Sequence, residues 1–285
     1  MSEEEEAQST LTAMGFSPER VASALRGCGG NLENAANLLL TGADTDSTRA
    51  MGSSTSPSIA APSGTARMIE CPFNQYSVPL GKSACTCIAM IAAETFLKQT
   101  EGASPKTDER SQLSAEFLQE CILQGVEKYK TMSKTQPSTE HLSAEDVLNA
   151  GIFQGLELVD GGVMQGILSP DGPLGLRALL PTSQSETQWT CALITKPPET
   201  VVCCIPPTNY DGGNPVPFLL IDSHPRQQQF GAEGSYIRQH SYVEGLVQSL
   251  ETLFPPTNLG PDIPELMAAM YNQFDLYRLR LRKST

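Results

Sequence analysis

At 285 residues, with 39% hydrophobic, 6% aromatic and 18% charged side chains, the chain has room for one small domain, one full-sized domain and some linker. Its formal net charge of −13, from 32 acidic against 19 basic residues, would repel a phosphate backbone, and no local basic stripe offsets it, which argues against a nucleic-acid partner. No run of about 18 apolar residues occurs, so no membrane span is expected.

The first residues, Met1-Ser2-Glu3-Glu4-Glu5-Glu6, are acidic where a secretory signal would be basic and then apolar, so none is expected. Eight cysteines are then most simply free thiols in a reducing compartment, the cytoplasm or nucleus. Their spacing does not suit zinc: Cys85/Cys87 and Cys203/Cys204 are too close for two-ligand knuckles, and neither Cys-x-x-Cys nor His-Glu-x-x-His occurs. No metal and no other cofactor is expected.

Residues 3–42 read as three short helices. The first, Glu3 to Met14, starts with acidic residues where the helix dipole favours them. After the Gly15-Phe16 turn, Ser17 caps a second helix with Pro18 in its first position, and Val21, Ala24 and Leu25 share one face. Gly27-Cys28-Gly29-Gly30 stops it. Asn31 caps a third helix on which Leu32, Ala35, Ala36 and Leu39 recur at helical spacing. Residues 43–66 are rich in Ser, Thr, Gly, Ala and Pro, bury too little surface to offset ordering, and read as a flexible linker.

From residue 67 to 285 the chain is mixed. Helices are predicted at 84–97, 114–132, 143–156, 242–254 and 264–281, and strands at 188–195, 200–205 and 218–222. Helices precede the β-rich region, so the fold class expected is α+β and not an alternating doubly wound sheet.

Met14-Gly15-Phe16, the Gly29-Gly30-Asn31-Leu32-Glu33 turn, Ala35-Ala36 and Leu38-Leu39-Leu40 together resemble the ubiquitin-associated (UBA) domain family. So small a domain leaves apolar side chains such as Met14 and Phe16 outside its core, and an exposed apolar patch usually means a partner. The resemblance implies that ubiquitin docks on Met14, Gly15, Phe16 and the Leu38/Leu40 side. Leu32 and Ala36 are expected to close the domain's own small core.

Thiol catalysis needs a thiolate, a base and a group that orients the base. Only three histidines exist, His141, His224 and His240. His224 follows the apolar run Phe218-Leu219-Leu220-Ile221-Asp222; strand alternation puts Asp222 and His224 on one face, where the carboxylate can steer the imidazole. A plain surface turn after a core strand is the alternative. Cys85, in Gly81-Lys82-Ser83-Ala84-Cys85-Thr86-Cys87, opens an apolar helix, whose positive end favours a thiolate. Cys87 lies roughly 200° further round that helix and is expected in the core. His141 and His240 are expected at the surface beside helices, and Cys121, Cys191, Cys203 and Cys204 as small buried hydrophobes. Gly81-Lys82-Ser83 is not a phosphate-binding loop, because Tyr76 stands where its first glycine belongs, and no Gly-x-Ser-x-Gly elbow marks a serine hydrolase.

Gln75, the Cys85-Thr86-x-Ile88-Ala89 helix start and the later Asp222-x-His224, in that order, resemble the papain-like deubiquitinases of the herpesvirus tegument type and their cellular relatives. The resemblance implies a papain-like cysteine peptidase domain in which Cys85 attacks, His224 is base and then acid, Asp222 orients it, and the Gln75 amide helps hold the oxyanion. The expected activity is thiol-dependent hydrolysis after the ubiquitin C-terminal glycine, with ubiquitin or polyubiquitin chains as partners. The competing reading is a non-catalytic ubiquitin receptor or adaptor on an inert peptidase-like scaffold. That reading expects Cys85 buried away from His224.

Overall fold

The computed structural model describes residues 18–27, 66–101, 113–134, 142–169, 172–209, 216–260 and 263–282. Two compact units divide the chain, one formed by residues 1–62 and 256–272, the other by 63–255 and 273–285. In the first, Pro18–Gly27 is a helix, α1, that starts on its proline as expected and buries Val21 and Leu25. Met14, Gly15, Phe16, Leu38 and Leu40 lie outside the described residues, as do the predicted first and third helices, most of the linker and His141.

The larger unit is built on a seven-stranded antiparallel sheet. Its strands are β1 (Arg67–Cys71), β2 (Leu156–Ile167), β3 (Thr190–Lys196), β4 (Glu199–Ile205), β5 (Phe218–Asp222), β6 (Ser235–His240) and β7 (Gln273–Leu281). They lie in the order β1-β6-β5-β4-β3-β7-β2. Both faces of the sheet are covered. Leu193, Val202, Leu219 and Ile221 pack in one core cluster with the helices α2 (Cys85–Thr100) and α3 (Ala115–Ser133). Ile194, Val201, Leu220 and Tyr236 pack in a second cluster with Leu246, Val247 and Leu250. This double burial explains why β3, β4 and β5 read as unbroken apolar runs without alternation.

Helix α2 is buried almost all round, from Cys85 to Ala93. It meets α3 at closest range where Gly125 faces Ile88: a β-carbon on Gly125 would lie 2.5 Å from the Ile88 Cα. Ser114 caps α3 through the Phe117 amide. A short helix, α4 (Ala144–Asn149), is closed by a capping box between Ser143 and Asp146. Helix α5 (Val243–Leu253) covers the opposite side of the sheet.

Several expectations are corrected. The helix predicted at 143–156 ends at Asn149, Gly151 follows with φ +67°, and Leu156 already starts β2. The helix predicted at 264–281 is a short helix, α6 (Glu265–Tyr271), followed by β7. Phe274 and Leu276 face one core and Tyr277 and Leu279 the other, so a strand buried on both faces produced apolar spacings that mimic a helix. β1, β2 and β6 were not anticipated. Consequently His240 is not a surface residue before a helix; it ends β6 and is buried.

Candidate active site

β5 is an inner strand between β4 and β6, and every one of its side chains is buried. Its last residue, Asp222, is only 1% exposed. The chain then turns, with the His224 amide donating to Asp222 Oδ1 at 2.9 Å, and His224 Nδ1 lies 2.6 Å from the same oxygen. The expected Asp–His pair forms as a doubly hydrogen-bonded contact, but by a bend and not by strand alternation, because β5 ends at Asp222.

On the neighbouring side, a 3₁₀ turn at Gly81–Ser83 runs directly into α2, so Cys85 occupies the helix's first turn. Its thiol lies within hydrogen-bonding reach of the His224 imidazole. With Nδ1 committed to Asp222, Nε2 is the ring nitrogen free to face the sulfur. The thiol also donates to the Pro198 carbonyl at 3.6 Å, in the two-residue turn between β3 and β4. Cys85 and His224 are each only 3% exposed, so little of either side chain meets solvent.

Gln75 ties the two halves together. Its backbone amide donates to the Ser223 carbonyl at 3.1 Å, its side-chain oxygen accepts from the Ser223 hydroxyl at 2.7 Å, and its side-chain nitrogen donates to the Lys82 carbonyl at 3.2 Å. One fully buried amide thus links the His224-bearing segment to the loop that delivers Cys85. Cys85, His224, Asp222 and Gln75 are brought together; Cys87 faces the core, where burial pushes its thiol up to about 12.

The electrostatics of the pair run in opposite directions. For Asp222, burial alone would favour the neutral acid, but His224 and then Arg226 outweigh it and lower the carboxyl to about 2. For His224, burial alone would favour the neutral ring, but the Asp222 charge and hydrogen bond raise it to about 10. An imidazole that holds a proton this well beside a thiol is equipped to act as a general acid there.

Sequence reasoning missed four neighbours. Arg226 Nε donates to Asp222 Oδ2 at 2.8 Å, and the Tyr236 hydroxyl donates to the same oxygen at 3.3 Å. Arg226 also grips Glu199 at 2.7 Å and 3.3 Å. Tyr76, more than half exposed, sets its ring edge against His224 with centroids 6.1 Å apart. Only Arg226 carried any signal, as a cation four residues after Asp222; Glu199 and Tyr236 arrive by strand pairing. The seven cysteines among the described residues are all buried and unpaired.

Residues 3–39 match the UBA/TS-N domain family. Among curated proteins no sequence matches the chain. Among solved structures, the chain is similar to the ubiquitin-specific protease encoded by murine cytomegalovirus tegument protein M48, determined in complex with a ubiquitin-based suicide substrate. The two share 10% identity with a TM-score of 0.51, over 76% of this chain and 87% of that one. The likeness is one of fold, a papain-like mixture of helices and antiparallel sheet, and it agrees with the α+β class expected from the sequence. No helix among the described residues is long and apolar enough to cross a membrane.

Proposed function

We propose that the chain is a cysteine-type deubiquitinase that hydrolyses the bond after the ubiquitin C-terminal glycine, assisted by a UBA domain that binds ubiquitin. The observation that carries the reading is the grouping of Cys85, His224 and Asp222, with the His224 ring held through Nδ1 by Asp222 and the Cys85 thiol interacting with the same imidazole. The receptor reading expected those groups apart. A UBA match and a fold shared with a viral ubiquitin-specific protease point to the same substrate.

In this reading His224 takes the Cys85 proton, and the thiolate attacks the carbonyl carbon of the terminal glycine. The negative charge moves to the carbonyl oxygen. Gln75 uses one side-chain N–H on Lys82; a primary amide has a second, which is the donor proposed for that oxyanion. First-turn backbone N–H groups of α2 lack intrahelical acceptors and add to it. The tetrahedral intermediate collapses as His224 gives its proton to the leaving amine, which frees the conjugated protein and leaves a thioester. Water, deprotonated by His224, then releases ubiquitin and restores the thiol. A nucleophile and base that are almost completely covered would meet a slender glycine tail more readily than a residue with a side chain.

The UBA domain, on the linker at 43–66, raises the local concentration of ubiquitin chains at the peptidase site. Thiol chemistry of this kind belongs in a reducing compartment, the cytoplasm or nucleus.

The test is a ubiquitin probe with a C-terminal electrophile. Covalent labelling is expected for the native chain and for Cys87→Ala, and is expected to vanish in Cys85→Ala. A native chain that stays unlabelled while still binding ubiquitin would leave the receptor reading in its place.

A further inference from the structure

Asp222 and Glu199 come from adjacent strands, β5 and β4, and a single guanidinium joins them. Nε of Arg226 serves Asp222 Oδ2, and its two terminal nitrogens form a fork on the Glu199 carboxylate. Glu199 is also the residue that follows Pro198, whose carbonyl receives the Cys85 thiol. One unbroken path therefore runs from the nucleophile through the β3–β4 turn, Glu199 and Arg226 to the carboxylate that orients His224. Arg226 is buried, while the Glu199 side chain is 30% exposed.

Resting on the reading of Cys85 and His224 as the reactive couple, we infer that Arg226 and Glu199 are a charge-balanced positioning pair that sets the protonation window of that couple. Asp222 has its Oδ1 occupied by two His224 donors, so Arg226 and Tyr236 on Oδ2 fix the carboxylate's plane and keep it aimed at Nδ1. Glu199 cancels the charge that Arg226 brings. Without Glu199 an uncompensated cation would sit beside the imidazole; without Arg226, two carboxylates would face it.

The groups surrounding His224 are Asp222 and Arg226 on its own segment, Glu199 on β4, Tyr236 on β6, Tyr76 on the 3₁₀ turn at Gln75–Ser77, and Cys85 on α2. Burial, first of all, and then Glu199 raise the Tyr76 phenol, so that residue stays neutral across the working range. The two charges that can be altered without replacing a triad residue are thus those of Arg226 and Glu199.

The experiment follows the rate at which Cys85 is alkylated by iodoacetamide as a function of pH, with the site of modification mapped by mass spectrometry. Glu199→Gln removes a negative charge, which favours the thiolate and disfavours the imidazolium, so both limbs of the profile should move down by about half to one pH unit. Arg226→Met should move both limbs up by about the same amount. The double variant restores the native charge and should return the limbs close to their native positions. If both single variants keep the native profile, or both move it the same way, the inference falls. If Arg226→Met does not fold, Glu199→Gln decides alone: a downward shift supports the pair, and an unmoved or upward profile overturns it. Because iodoacetamide needs no ubiquitin, a shifted profile in a chain that no ubiquitin probe labels would sink the proposed substrate and leave this pair standing.

Discussion

Gly81 passes so close to Gln75 that a β-carbon built on it would sit 1.9 Å from the Gln75 carbonyl oxygen. The turn holding that approach is tied at both ends, Val78 donating to the Gln75 carbonyl and Ala84 to that of Gly81. Gly81→Ala must therefore push Gln75 and the Cys85 helix start apart. The expected cost is about 1–3 kcal/mol of stability. Labelling by a ubiquitin electrophile should slow far more than stability falls, because displacement spreads the site. Gln75→Ala gives the complementary case: the close approach survives, the amide is lost, and turnover should drop about 100-fold or more, well beyond the effect of the about 1–3 kcal/mol of stability lost with its two side-chain hydrogen bonds. Equal losses of stability and activity in both variants would mean that Gln75 is only a structural tie.

The parts of this site written in contiguous residues were legible in the sequence, and the parts assembled by pairing were not. Asp222 and His224 share a strand end, and Cys85 opens an apolar helix after a glycine turn, so period and position alone nominated them. Tyr236 reaches Asp222 only because β6 pairs with β5 in a register that sets the two residues opposite each other. Nothing local marks β6, whose Ser235-Tyr-Ile-Arg-Gln-His240 mixes polar and apolar residues because both its faces and its end do different work. β7 failed for another reason. Its residues serve two cores at once, and apolar side chains on both faces of a strand leave the same footprint as one face of a helix.

Asp222→Asn should separate orientation from acidity. The native carboxylate is lowered to about 2, so its contribution is present above the ordinary carboxylate range near pH 4 and is lost as pH falls through about 2. His224 is raised to about 10, so its share is complete below about pH 6.5 and is lost as pH rises through about 10. The stability gap between native chain and variant should therefore be widest between about pH 4 and 6.5, at about 3 kcal/mol, and narrow towards pH 10. Denaturant unfolding at a series of pH values reads this directly. A gap that is flat across the series would show that the two groups do not form an ion pair.

The UBA match makes a separate prediction, confined to substrates with more than one ubiquitin. Phe16→Ala or Met14→Glu should leave hydrolysis of a mono-ubiquitin fluorogenic ester unchanged, since the proposed reaction would use only the larger unit. On long chains the same variants should raise KM by about tenfold with kcat preserved, the signature of lost local concentration. Identical kinetics on chains, in both variants, would remove ubiquitin delivery from the functions of the N-terminal domain.

His240 carries the opposite sign from His224. It is buried at the end of β6, its Nε2 has no hydrogen-bond partner, and Gly245 packs against its ring so closely that a β-carbon there would lie 3.1 Å from Nδ1. Burial and, after it, the Arg238 charge lower the imidazole to about 4. A group whose folded value lies below its unfolded value near 6.5 costs nothing at neutral pH and destabilises progressively as pH falls from about 6.5 to about 4. His240→Gln removes the titration and keeps a polar side chain of similar reach. It should cost little at pH 7.5 and gain about 1–2 kcal/mol over the native chain by pH 4.5, once solvent screening is allowed for. Cys85 alkylation at pH 7.5 should be unaffected, which separates this buried structural histidine from the one beside the thiol. A native chain that loses no more stability than the variant on acidification would mean that the ring already finds a partner when charged.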